Sequence, residues 1–180
     1  LLIGTSMLDG FYGSYYNLNQ LVFDAFDAPV SMIGIFFGAS YAVNATAYIA
    51  ADFFSSRFGK RNTMLGSMLI EAGLFMILPW FASNPLCLFG LSMALCFLPE
   101  VVYITSENLI QDAIADDLRA TVLSVASLVR ALFSAMFFSI FGYVLGLYPI
   151  QIALGIIGAI AVAITAVVSL KMVGIQVSKN

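Results

Sequence analysis

Apolar runs of spanning length alternate along this chain with short polar breaks. A helix crossing a hydrocarbon core of about 30 Å, at about 1.5 Å per residue, needs about 20 mostly apolar residues. Six stretches meet that length: 1–23, 30–54, 63–81, 86–110, 120–147 and 150–173. The breaks carry turn chemistry at Asp27-Ala28-Pro29, Ser83-Asn84-Pro85 and Tyr148-Pro149, where proline cannot continue a preceding helix. The pattern predicts an all-α polytopic membrane protein. Its six transmembrane helices form one bundle over residues 1–180, with three helices in 1–81, three in 86–173 and a tail at 174–180.

The cations give the bundle a direction. Arg57, Lys60 and Arg61 form one cluster, Arg119 stands alone, and Lys171 and Lys179 lie near the end. Lys and Arg are retained on the cytoplasmic side during insertion. With the first helix starting there, the loops at 55–62 and 111–118 and the C-terminal tail are all cytoplasmic. The opposite loops hold Asp24 and Asp27 but no Lys or Arg. The seventh cation, Arg130, falls inside the fifth span.

Composition narrows the function classes. The chain is 62% hydrophobic and 9% charged, whereas about a quarter of a soluble domain is charged. A net charge of -3 without a basic patch argues against nucleic acid. The absence of histidine removes Ser-His-Asp and Cys-His catalysis, histidine zinc sites and histidine-ligated haem. No Asp/Glu spacing resembles a metal site, so the sequence speaks for a non-enzyme with no cofactor. Cys87 and Cys96, nine apart on one helix, face opposite ways and read as packing residues. The chain opens at Leu1 without the charged start of a signal peptide, and reads as a fragment or a half of a longer chain.

Successive helix residues turn about 100°, so shared faces can be worked out. Thr5, Asp9, Tyr12, Gly13, Tyr16 and Gln20 share a face of the first helix; Ser40, Tyr41, Asn44, Tyr48 and Ser55 share one on the second. The fourth aligns Ser92, Cys96, Glu100, Tyr103 and Glu107, and the fifth aligns Ser127, Arg130 and Ser134. The third carries a lone Glu71 and the last almost nothing polar. This distribution predicts four helices around a wet cavity with the third and sixth outside. Small residues at four-residue spacing, Gly34, Gly38 and Ala42 on the second helix and Gly155, Ala159 and Ala163 on the last, predict close helix contacts.

Glu100 and Arg130 lie at matched distances from their cytoplasmic helix ends, which predicts an intramembrane ion pair. Asp9 and Glu71 fall in the same layer. An ionised group at that depth is costly unless paired or hydrated, so each is a candidate for proton coupling or ion pairing. Asp9, with no cation on its own helix and with Tyr12 and Tyr16 beside it, is a candidate proton-binding carboxyl. Glu71 is the weaker candidate because its helix reads as peripheral.

The run Asp52-Phe-Phe-Ser-Ser-Arg-Phe-Gly-Lys-Arg61 resembles the cytoplasmic signature of the major facilitator superfamily, Gly-x-x-x-Asp-Arg-x-Gly-Arg/Lys-Arg/Lys. Arg57, Gly59, Lys60 and Arg61 match. Asp52 stands in place of the first glycine and Ser56 in place of the aspartate, so the carboxylate comes one helical turn early. Asp117-Leu-Arg-Ala-Thr-Val-Leu-Ser124 is similar to the loop and start of the eleventh helix in many bacterial members, and Asn108-Leu-Ile110 fits their tenth. The resemblance runs along the whole chain, as helices seven to twelve.

That resemblance implies two three-helix inverted repeats, a missing N-terminal six-helix half as partner, and a bacterial inner membrane location. It implies secondary transport of a small molecule by alternating access, coupled to protons through Asp9, Glu71 and Glu100. Cavity contacts would come from Tyr12, Tyr16, Gln20, Asn44, Glu100, Tyr103 and Arg130. The cytoplasmic gate would involve Asp52, Ser56, Arg57, Gly59, Lys60, Arg61 and Arg119. Aromatic residues with few fixed charges suit a drug-like or amphipathic substrate, and an unpaired Arg130 would favour an anion. The alternative is a non-transporting membrane subunit or scaffold, against which the four polar stripes speak.

Overall fold

A computed structural model describes residues 2–177, with the side chains of 2–172. Six helices follow in order: α1 (Leu2–Ala25), α2 (Val30–Phe58), α3 (Lys60–Phe81), α4 (Pro85–Asp112), α5 (Arg119–Leu147) and α6 (Ile150–Val177). No strand occurs among the described residues. The sixth helix runs on through 174–177, where the sequence predicts a tail; Lys179 and the rest of 178–180 lie outside the described residues.

The helix ends have local causes. Pro29 caps the start of α2 and Pro149 precedes α6. Asn84 caps α4, its side chain accepting from the amides of Leu86 at 3.0 Å and Cys87 at 3.2 Å. Those amides have no partner inside the helix, which is why Asn is favoured there. Between α2 and α3 the predicted loop 55–62 shrinks to Gly59 alone, at φ 83. A side chain is disfavoured in that left-handed region, so one glycine ends one helix and starts the next.

Five helices, α2 to α6, are long and apolar enough to cross a membrane. The first matches them in length, but its polar residues keep it below that apolarity, contrary to its reading as an ordinary span. The packing supplies the reason. A dozen of its residues are buried, Thr5, Ser6, Ser14 and Asn19 among them, and its neighbours are α5, α4 and α6. Polar groups tolerated there face protein.

Close approach of α1 and α5 rests on Gly10. A Cβ at Gly10 would come within 2.6 Å of Phe133 Cβ and 2.8 Å of the Ser134 amide nitrogen. One turn to either side, Ser14 donates to the Ser134 carbonyl at 2.8 Å and Ser6 to the Ala126 carbonyl at 3.4 Å. Small residues at four-residue spacing permit this contact, but they are not the predicted ones. Gly34, Gly38 and Ala42 are exposed, and nothing lies within 4 Å of a Cβ at either glycine. In α6 the contact falls on Gly158, whose Cβ would sit 2.9 Å from the Phe75 carbonyl oxygen, while Ala159 and Ala163 are exposed. Spacing finds a stripe of small residues but says nothing of which neighbour faces it.

An aromatic cluster joins α1 to α3 and α5. Phe11 meets Phe75, Phe137 and Phe141 edge-on at 5.5, 5.4 and 4.9 Å, and Tyr15 meets Phe75 at 4.6 Å. Each such pair contributes about 0.5–1.5 kcal/mol beyond area burial. Among α2 to α6, α2 and α5 are the least buried.

Candidate functional site

A cavity of about 330 Å³ opens between four helices. Asp9, Tyr12, Gly13 and Tyr16 contribute from α1 and Tyr41 and Asn44 from α2. Cys96, Pro99, Glu100 and Tyr103 line it from α4, together with Leu95, and Arg130 from α5. Among the described residues, helices α3 and α6 contribute nothing to the wall.

Arg130 is the centre of its electrostatics. Its Nη2 donates to Glu107 Oε1 at 2.8 Å, and its Nε lies 3.2 Å from Asp9 Oδ2. The first is an aligned hydrogen bond. The second is an ion-pair contact in which the N–H is turned off the hydrogen-bond axis, so neither atom gains a bond from it. The guanidinium also stands 4.5 Å from the centre of the Tyr103 ring, within range of the ring's negative face. Tyr103 and Glu107 are one turn apart on α4, so a single side chain can engage both. Asp9 reaches Arg130 because its neighbour Gly10 lets the two helices close up.

This corrects the expected Glu100–Arg130 pair: Glu100 forms no ion pair or hydrogen bond among the described residues. Matching depths by residue count ignores where a side chain leans. Cα–Cβ bonds tilt toward a helix's N-terminus. For α5 that is the Arg119 end, next to the α4 end that carries Glu107. Arg130 therefore leans past Glu100 toward the carboxyl two turns further along α4.

The remaining lining is held from behind. The Tyr16 hydroxyl shares a hydrogen bond with Ser40 Oγ at 3.0 Å, and its ring meets Phe37 edge-on at 5.7 Å. Asn44 Oδ1 is buried without a hydrogen-bond partner among the described residues. Pro99 has no amide hydrogen, so the Leu95 carbonyl four residues earlier loses its helical donor. Gln20, expected among the cavity contacts, is exposed one turn beyond Tyr16 and outside the wall. The shared face continues past the point where the cavity ends.

Glu71 departs from its expected place at a peripheral helix. It is wholly buried, because α3 packs on α4 and α6 and turns this face inward. The Tyr12 hydroxyl lies against both the Glu71 carboxyl and the Thr165 hydroxyl, although none of these buried oxygens reaches hydrogen-bond geometry. Tyr12 thus has one side on the cavity and its hydroxyl in a polar cluster behind it.

The signature residues gather at the end of the bundle that Gly59 occupies. Lys60 pairs with Asp112 at the end of α4, and Arg61 donates to the Met172 carbonyl of α6 at 2.8 Å. Arg119 pairs with Asp116 at 2.7 Å. Ser56 bonds back to the Phe53 carbonyl at 2.8 Å. Asp52 and Arg57 are exposed and reach no partner among the described residues.

Sequence reasoning did not name Tyr41, Cys96, Pro99 or Glu107 as site residues. The stripes do contain Tyr41, Cys96 and Glu107, so the face was visible and the extent of the cavity was not. Both cysteines are free, Cys87 exposed and Cys96 buried. Among the described residues no group of His, Cys, Asp and Glu could hold a metal ion. Neither a family model nor a curated protein matches the chain.

Proposed function

We propose that this chain is the C-terminal six-helix half of a major facilitator-type secondary transporter, moving a small molecule by alternating access with proton coupling. The observation that carries the reading is the cavity itself: four helices wall one space, and in it Arg130 is shared between carboxyls of two different helices. A cation held by Asp9 of α1 and Glu107 of α4 responds to whichever of them binds a proton. Such a change alters the tie between α1, α4 and α5 together. Glu71, reached through Tyr12, is a second carboxyl for the proton's route.

In this reading all six helices span the membrane, α1 shielded by its neighbours, and α1–α3 and α4–α6 are inverted repeats. The end carrying Gly59, Lys60 and Arg119 faces the cytoplasm of a bacterial cell across its inner membrane, as does the C-terminus. The sparsely buried faces of α2 and α5 take the N-terminal half. The test is uptake by the full-length protein in proteoliposomes with an imposed pH gradient, across drugs, sugars and organic acids. Movement that follows the gradient and is lost in Arg130→Gln supports the reading. No movement across the panel sinks it in favour of a scaffold.

A further inference from the structure

Charge in the cavity is unevenly matched. Arg130 is the one cation in the wall, and Asp9 and Glu107 already hold it. An incoming anion would have to displace a carboxyl from it. Glu100 faces the same space and forms no hydrogen bond or ion pair among the described residues. The other recurrent surface is aromatic. Tyr16 is fixed in place by Ser40, and Tyr41 is 73% exposed; neither ring is covered by a cation, unlike Tyr103.

A carboxyl with no hydrogen bond or ion pair among the described residues, beside open tyrosine rings, favours a positive charge on a weakly hydrated body. Aromatic faces attract such cations, more strongly as water is excluded. We infer that the cavity binds an organic cation, a quaternary or protonated amine or phosphonium with an apolar body, with Glu100 as counter-charge and Tyr16 and Tyr41 as flanking rings. This names the substrate class of the transport reading and rests on it for movement, though not for binding.

The test uses tetraphenylphosphonium and its anionic counterpart of like shape, tetraphenylborate, titrated against the full-length protein in lipid nanodiscs with empty discs subtracted. The cation is expected to bind at least tenfold more tightly than the anion. Glu100→Gln should weaken cation binding about tenfold, which is about 1.4 kcal/mol, and Glu100→Asp should retain most of it. Tyr41→Leu, which keeps an apolar side chain but removes the ring, should weaken it about threefold. Equal binding of both probes with no effect of Glu100→Gln would reduce the cavity to an unselective apolar pocket and overturn the inference. Tighter binding of the anion would overturn it in favour of Arg130. Phosphonium that binds through Glu100 but is not moved in proteoliposomes would remove the transport reading and leave this site standing. Transport of another solute without phosphonium binding would do the reverse.

Discussion

Gly10 and Phe133 touch so closely that no side chain fits between the backbones of α1 and α5: a Cβ on Gly10 would sit 2.6 Å from that of Phe133. The atoms opposing it include the Phe133 and Ser134 backbone, which cannot swing away. Gly10→Ala should therefore destabilise the protein by about 1–3 kcal/mol, the usual cost of overpacking. Gly34→Ala, with nothing within 4 Å, should be neutral or gain up to about 1 kcal/mol from helix propensity. Thermal unfolding of both variants in the same detergent checks the contrast, and equal losses would contradict the α1–α5 contact.

Arg130 should couple energetically to Glu107, its hydrogen-bonded partner, more strongly than to Glu100. Removing one partner of a buried pair costs about 3–5 kcal/mol, and the partial exposure here, 23% for Arg130 and 18% for Glu107, brings the expected loss in Arg130→Gln to about 2 kcal/mol. A double-mutant cycle on unfolding free energy should give a coupling of about 1 kcal/mol or more for Arg130 with Glu107. The same cycle with Glu100, which Arg130 reaches only through space, should give a clearly smaller value. The reverse order would restore the pairing expected from depth.

Among the described residues Glu71 has no cation against it; Tyr12 and Asp9 are the titratable groups that face it, with Thr165 beyond the Tyr12 hydroxyl. Glu71→Gln keeps the shape and should change stability by less than about 1 kcal/mol. If the residue is on the proton's route, the same variant should cut gradient-driven uptake at least tenfold while leaving substrate exchange without a gradient intact. Uptake that responds to the gradient as in the natural protein would take Glu71 off that route.

Cation binding through Glu100 should weaken as pH falls, because only the ionised carboxyl supplies a counter-charge. Arg130, Asp9, Tyr16 and Cys96 surround it electrostatically. Phosphonium affinity followed from pH 8 to pH 5 should drop in the natural protein and stay level in Glu100→Gln. A level profile in both would mean that the carboxyl does not meet the ligand.

The helices were legible because each needs one long apolar run, and Pro29, Asn84, Pro85 and Pro149 mark their limits. Asp9, Tyr12, Tyr16, Asn44, Tyr103 and Arg130 were legible as a group through the 100° rotation alone. What periodicity lacks is the neighbour. It could not say that Gly10 rather than Gly38 meets another helix, or that the face of α3 with Glu71 turns inward toward Tyr12. Nor does a residue count carry the lean of a side chain, which is why Glu107 and not Glu100 receives Arg130. The polar content of α1 has the same origin, since hydropathy assumes lipid where the fold supplies protein.

Pro99 has a consequence for how α4 can move. Bending a helix normally opens a backbone hydrogen bond on the convex side, and that lost bond resists the bend. Between Leu95 and Pro99 the bond is already missing. The two limbs of α4, one carrying Cys96 and the other Tyr103 and Glu107, therefore meet at a joint whose flexing breaks nothing. Glu100 sits on that joint, so bending there would shift its carboxyl relative to Cys96 while Arg130 keeps its grip on Glu107.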